Sequence, residues 1–228
     1  YIDNSFAFCD FTRFGYTFWA RTVRVAGAIT TTSGILRDKI KFVTGRTAHV
    51  VHNGVDYERF AKAQVKSSGR YVTYIGTISR WFDFDLLEYA LQSLPEVKFL
   101  LVGPEHPKVA DRVNSLLKAY PNLAAMGAQP YDELVTILRQ TAVGIIPFKR
   151  TELTEAVNPV KLYEYAAAGV QTVASYFSDE LRLFPDGIVL VADSKKQFVQ
   201  HIQLALRSQG RADIVQRLRE YAMMSDWD

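Results

Sequence analysis

The run NPVKLYEYAAAG, residues 158–169, sets a lysine and a glutamate inside an otherwise apolar helical segment. At 3.6 residues per turn, Lys161 and Glu164 lie roughly 60° apart and share one face. Leu162 and Ala166 point nearly opposite, toward whatever the helix packs on. Asn158 suits the N-cap and Pro159 the first helical position, and Gly169 suits the C′ position after the last turn. The helix start therefore presents an ammonium, a carboxylate and amide groups without intrahelical acceptors. That combination suits a phosphate at the positive end of the helix dipole. The carboxylate, one turn further in, can accept hydrogen bonds from ribose hydroxyls. One helix end could then read both halves of a nucleoside diphosphate. The competing reading is an exposed Lys–Glu pair that stabilises the helix by about 0.2–0.5 kcal/mol and does nothing else. The helix by itself leaves both open.

Other turns carry fewer such residues. GTISRWFDFD places Gly76 and Arg80 just after an apolar run, GPEHP begins at Gly103, PFKRTELTEAVNP leads into the lysine-bearing helix, and SYFSDE follows QTVAS. Neither the dinucleotide fingerprint G-x-G-x-x-G nor the phosphate loop G-x-x-x-x-G-K-[ST] occurs, and no G-x-S-x-G nucleophile elbow is present. The four histidines, His49, His52, His106 and His201, show no metal spacing. His52, in VHNGVD, is read as a linker contact.

The elements that must position these residues alternate between apolar runs and helical patterns, which predicts an α/β fold with parallel strands. The expected strands are YVTYIG, VKFLLVG, LAAMG, VGIIPF, QTVAS and IVLVA, several of them continuous apolar runs suited to a sheet covered on both faces. Between and after them, WFDFDLLEYALQSL, VADRVNSLLKAY, YDELVTILRQ, SDELRLF, SKKQFVQHIQLALRS and RADIVQRLREYAMM read as helices. Such crossovers are what parallel strands require, and they predict a Rossmann-like doubly wound parallel sheet over residues 70–228. In residues 1–55, TRFGYTFWARTVRVAG and GILRDKIKFV read as helices, and AITTTS and AHVVHN as strands. Two strands are too few for an independent sheet, so this part reads as the end of a preceding Rossmann-like domain. Residues 56–69 read as a linker.

Composition sets the class. Of 228 residues 48% are hydrophobic and 22% charged, ordinary for a soluble globular chain. A net charge of +3 is too small to argue for nucleic acid, and a single cysteine, Cys9, excludes a disulfide framework and makes thiolate metal ligation implausible. No apolar run approaches the roughly 18 residues of a membrane span. The chain opens YIDNSFAFCD without initiator methionine and reads as a piece of a longer protein. Eight aromatics crowd residues 1–19, with Arg13, Arg21 and Arg24 nearby. They fit packing against an absent part of the first domain, with an interfacial membrane surface as the alternative.

From AGAITTTSGILRDKI through VVHNGVDYERF and YIGTISRWFDFDLLEYA to VNPVKLYEYAAAG, the chain resembles the bacterial GT-B glycosyltransferases of glycogen-synthase-like families. WFDFDLL and NPVKLYEY look most like enzymes of exopolysaccharide and teichuronic-acid assembly, and are similar to the xanthan glucuronosyltransferase. The resemblance implies two facing Rossmann-like domains. The C-terminal one holds a nucleotide sugar, a UDP-sugar by preference, and the other a glycan or lipid-linked acceptor at the inner face of the cell membrane. It puts Glu164 on the ribose and Lys161 on the diphosphate, beside Asn158 and Val160. It also puts Phe148 near the nucleotide and makes Gly76, Thr77 and Ile78 the first phosphate-side loop, with Arg80 and Gly103 close by. Asp3 falls where an acidic residue faces the acceptor, and is the candidate general base. No metal or other cofactor is expected. Two departures stand out: Ala156 occupies the place of a glutamate found in many retaining members, with Glu155 one residue off, and the usual Arg and Lys pair is reduced to Arg80. A sugar-nucleotide epimerase of the same fold and a non-catalytic nucleotide-sugar-binding module remain alternatives.

Overall fold

The computed structural model describes residues 15–63 and 69–227. Asp3 and the aromatics Tyr1, Phe6, Phe8, Phe11 and Phe14 lie outside the described residues.

The first elements are α1 (Gly15–Val25), β1 (Thr30–Thr31), α2 (Gly34–Thr44) and β2 (His49–Val50), with β1 and β2 paired in parallel. Ser33 caps α2 by accepting from the amide of Leu36. Val23, Ile29, Ile40 and Ala48 form a small apolar cluster of their own. The much larger second cluster begins at Val55 and takes in Phe60 and Ala63. Part of the expected linker is therefore structured: α3 (Tyr57–Ala61), capped by Asp56, buries Phe60 completely. A five-residue helix is too short to show a period in sequence.

Beyond it the expected alternation appears. In chain order it runs β3 (Tyr71–Ile75), α4 (Phe84–Ser93), β4 (Lys98–Val102), α5 (Ala110–Ala119), β5 (Leu123–Ala125), α6 (Glu133–Leu138) and β6 (Thr141–Ile146). Then follow α7 (Glu152–Glu155), α8 (Val160–Ala167), β7 (Gln171–Ser175), β8 (Val189–Ala192), α9 (Lys195–Arg207) and α10 (Ala212–Met223). SDELRLF is a 3₁₀ turn, Asp179–Leu183, rather than an α-helix. Ser178 caps its start and Pro185 follows two residues after its end, leaving no room for an α-helical run.

All six strands run parallel in the order β5-β4-β3-β6-β7-β8. The order reverses between β3 and β6. Right-handed crossovers then send α4 and α8 to opposite faces. Accordingly α4 packs with α9, and α8 with α10 and α3. β6 is buried at every residue, as a central parallel strand must be. After α10 the chain returns to the start of the linker. The amide of Val55 donates to Ser225 O at 3.0 Å, that of Trp227 to Val55 O at 3.1 Å, and that of Tyr57 to the Asp226 carboxylate at 3.2 Å. Among the described residues, no helix is long and apolar enough to cross a membrane.

Candidate functional site

The reversal between β3 and β6 leaves a crevice at the carboxyl ends of the strands, the usual ligand position in an open α/β sheet. A cleft of about 440 Å³ opens there, with Asn53, Tyr74, Gly76, Phe148, Asn158 and Lys161 on its walls. Thr77, Val160 and Glu164 also line it.

Three elements build it. β3 delivers Gly76, whose amide donates to Val102 O at 2.8 Å and extends the sheet ladder by one residue. Gly76 and Gly103 both have φ near +140°, and a Cβ on Gly103 would stand 2.1 Å from Gly76 O. Two neighbouring strand ends can approach this closely only with glycine at Gly103. β6 delivers Phe148, buried and edge-on to Tyr74 with ring centres 6.2 Å apart. α8 delivers the charges. Its seat on the sheet is fixed by Tyr165, whose hydroxyl donates to Thr73 O at 3.0 Å and accepts from the amide of Ile75 at 2.9 Å. Leu162 and Ala166 are buried, as the helical wheel requires. Gly169, at φ +73°, closes α8: its amide donates to Ala166 O, and that of Val170 to Tyr165 O.

The expected cap at Asn158 is overturned. Pro159 holds the N-cap place, and no side chain caps the helix. The Asn158 carboxamide is engaged elsewhere: its Oδ1 accepts from the amide of Asn53 and from the Tyr163 hydroxyl, both at 3.1 Å. Asn53 Nδ2 in turn donates to Asn158 O at 2.7 Å. Asn158 thus ties the end of the first unit to the start of α8.

Lys161 runs from α8 to the tip of β3. Its Nζ lies 4.9 Å from the centre of the Phe148 ring and 5.1 Å from that of Tyr74, within cation–π range of both. It also sits 3.1 Å from where a Cβ on Gly76 would be. Desolvation lowers its pKa to about 8, against the raising influence of Glu164. Glu164 is buried, so the exposed-pair reading of this helix is overturned. Burial raises the Glu164 pKa, while Lys161 and a hydrogen bond from Tyr131 work against the rise. The Tyr131 hydroxyl donates to Glu164 Oε1 at 3.2 Å.

The remaining candidates lie outside the cleft. Ile78 is buried and bridged to Glu105 of the next turn. Gly103 packs behind Gly76, and Arg80 is exposed. Ala156 is buried, with its carbonyl accepting from the Ser33 hydroxyl at 3.0 Å, and Glu155 is ion-paired to Arg150 at 2.9 Å. His52 Nδ1 lies 3.0 Å from Thr32 O, a contact within the first unit and not with the linker. Sequence reasoning missed Tyr131 and Asn53, since no local pattern joins them to α8. Among the described residues no group of three or more His, Cys, Asp or Glu could hold a metal ion.

A doubly wound parallel sheet with a crevice at its switch point defines a Rossmann-like α/β protein. Residues 85–225, well over half of the chain, match the model of the glycosyl transferase-like family, and the chain belongs to that family. TuaH of Bacillus subtilis (strain 168), named as a teichuronic acid biosynthesis glycosyltransferase, is 27% identical over 221 residues, covering 91% of this chain and 55% of TuaH. The chain thus spans about half the length of that relative. HepE of Anabaena, solved with UDP-glucose, superposes with a TM-score of 0.77 at 13% identity, over 98% of this chain and 66% of HepE. Sucrose-phosphate synthase of Thermosynechococcus elongatus gives 0.75 at 17% identity, over 97% of this chain and 61% of the synthase. These similarities carry the fold, which is the GT-B type.

Proposed function

We propose that this chain is the nucleotide-sugar-binding half of a glycosyltransferase, and that the whole protein moves a sugar from a nucleoside diphosphate donor to a glycan acceptor. The observation that carries the reading is Lys161, its ammonium held over Phe148 and Tyr74 beside the tip of β3 at the switch point. In glycosyl transfer, an acceptor hydroxyl attacks the anomeric carbon while the bond to the diphosphate oxygen breaks. Negative charge grows on the departing diphosphate, and a fixed cation with oriented amides lowers the barrier most where that charge appears. Lys161 and the first amides of α8 would supply this. Glu164 would hold the ribose hydroxyls, and the reading calls for no metal.

The finer proposals are a UDP-sugar donor and a glycan or lipid-linked acceptor of bacterial surface polysaccharide, met at the inner membrane face. HepE, solved with UDP-glucose, and TuaH, by its name, support them. Asp3 remains the proposed general base. The test is a calorimetric screen of nucleoside diphosphates and their sugars against the 228-residue chain. Saturable binding with uridine diphosphate preferred is expected. A chain that binds none of them ends the proposal.

A further inference from the structure

Glu164 accepts a hydrogen bond from a residue outside the cleft. Tyr131 stands in the connection between β5 and α6 and is not among the residues on the cleft walls. Its hydroxyl reaches Glu164 Oε1 at 3.2 Å. Its ring is held from the other side by α3. Phe60, fully buried, meets it edge-on with centres 5.4 Å apart, and the Arg59 guanidinium lies 5.1 Å from the ring centre. Arg59 is anchored at both ends, to Asp56 at 2.8 Å and to Asp132 at 2.7 Å. The phenol therefore cannot swing away from Glu164 without breaking contacts with α3.

We infer that Tyr131 is the positioning residue for the ribose-reading carboxylate: it occupies one oxygen of Glu164 and turns the other to the cleft. The inference rests on the assignment of Glu164 to the ribose hydroxyls. A carboxylate buried on a helix has two rotatable bonds beyond Cβ and needs a fixed partner to present one oxygen in one direction. The charged and titratable groups facing Glu164 are Lys161 on its own helix, Tyr131 from the β5–α6 connection, and the phenol of Tyr165, which is tied to β3. Of these, Tyr131 is the one that donates a hydrogen bond to the carboxylate. It also stabilises the charged form, after Lys161, and so helps to lower the pH at which Glu164 stops acting as a pure acceptor. Because Phe60 and Arg59 belong to the segment joining the two units, Tyr131 also connects that segment to the nucleotide site.

The test uses Tyr131→Phe, which keeps the ring, and hence the contacts to Phe60 and Arg59, and removes only the hydroxyl. Binding of UDP and of its 2′,3′-dideoxy form is measured as a function of pH on the full 228-residue chain, alongside Glu164→Gln and the double variant. The expected result has three parts. Tyr131→Phe lowers UDP affinity by roughly tenfold, with little change for the dideoxy ligand. The loss of discrimination on acidification begins at a higher pH than in the parent chain. The double variant discriminates no worse than Glu164→Gln alone, the non-additivity expected of one coupled pair. If Glu164→Gln abolishes ribose discrimination while Tyr131→Phe leaves both discrimination and its pH midpoint in place, the positioning role is overturned and the ribose assignment stands. If Glu164→Gln itself leaves discrimination intact, both fall.

Discussion

At Lys161 two surroundings pull in opposite directions. Burial disfavours the ammonium and brings its pKa to about 8, while Glu164 and two aromatic faces favour the charge. A diphosphate would add the missing negative charge and raise the pKa again. The sign follows. Below about pH 8 the lysine is already protonated, and its contribution to UDP affinity should be constant down to the range where Glu164 takes up its proton. Above that pH the free protein holds a neutral amine, and binding must take up a proton. Affinity should then fall on the order of tenfold per pH unit. Calorimetry in buffers of different ionisation enthalpy would reveal proton uptake above pH 8, and its absence would detach Lys161 from the phosphates. In the same terms, Lys161→Ala should weaken UDP by about 1.5–3 kcal/mol, the usual size of a charge-assisted contact, and leave uridine nearly unchanged. Equal losses for nucleoside and diphosphate would place the lysine against the base or sugar instead.

Among the elements, α8 shows what a sequence discloses and what it hides. Its extent, its buried face and its Gly169 terminus follow from period and propensity, because each is decided within a few residues of chain. The same holds for β6, whose unbroken apolar run announced a strand covered on both sides. Asn158 was misread as a cap because its competing partners, Asn53 and Tyr163, include one 105 residues away in the chain. Tyr131 escaped for the same reason, and α3 because five residues carry too little periodicity. Lys161 and Glu164 were legible as a chemical pair, but the burial that separates a site from a surface ion pair is a property of the fold. Two substitutions test the joints. Asn158→Ala strands the buried amide of Asn53 and should cost about 1–3 kcal/mol in urea unfolding, with a weaker nucleotide site. Gly103→Ala forces a side chain onto Gly76 O in a backbone region that costs about 1–3 kcal/mol for non-glycine residues before any clash is counted. An unchanged unfolding midpoint in either variant would contradict the geometry described for it.

For the molecule as a whole, binding and turnover should separate. The cleft residues that carry charge, Lys161 and Glu164, sit on one helix of the larger unit, so the 228-residue chain should take up UDP by itself. Transfer needs the acceptor oxygen held about 3–3.5 Å from the anomeric carbon by a facing domain, and β1 and β2 with their helices are too little to do that. Acceptor-dependent transfer by this chain, measured beside the titration, would show that the smaller unit does more than these elements suggest. The clasp between Tyr57 and Asp226, residues 169 apart in the chain, has a consequence in time. At about 5–20 residues per second of synthesis, the segment around Tyr57 leaves the ribosome roughly 10–30 s before its partner exists. For that interval the newborn chain carries its two units on an unfastened joint. The joint closes only once residues 225–227 have been made.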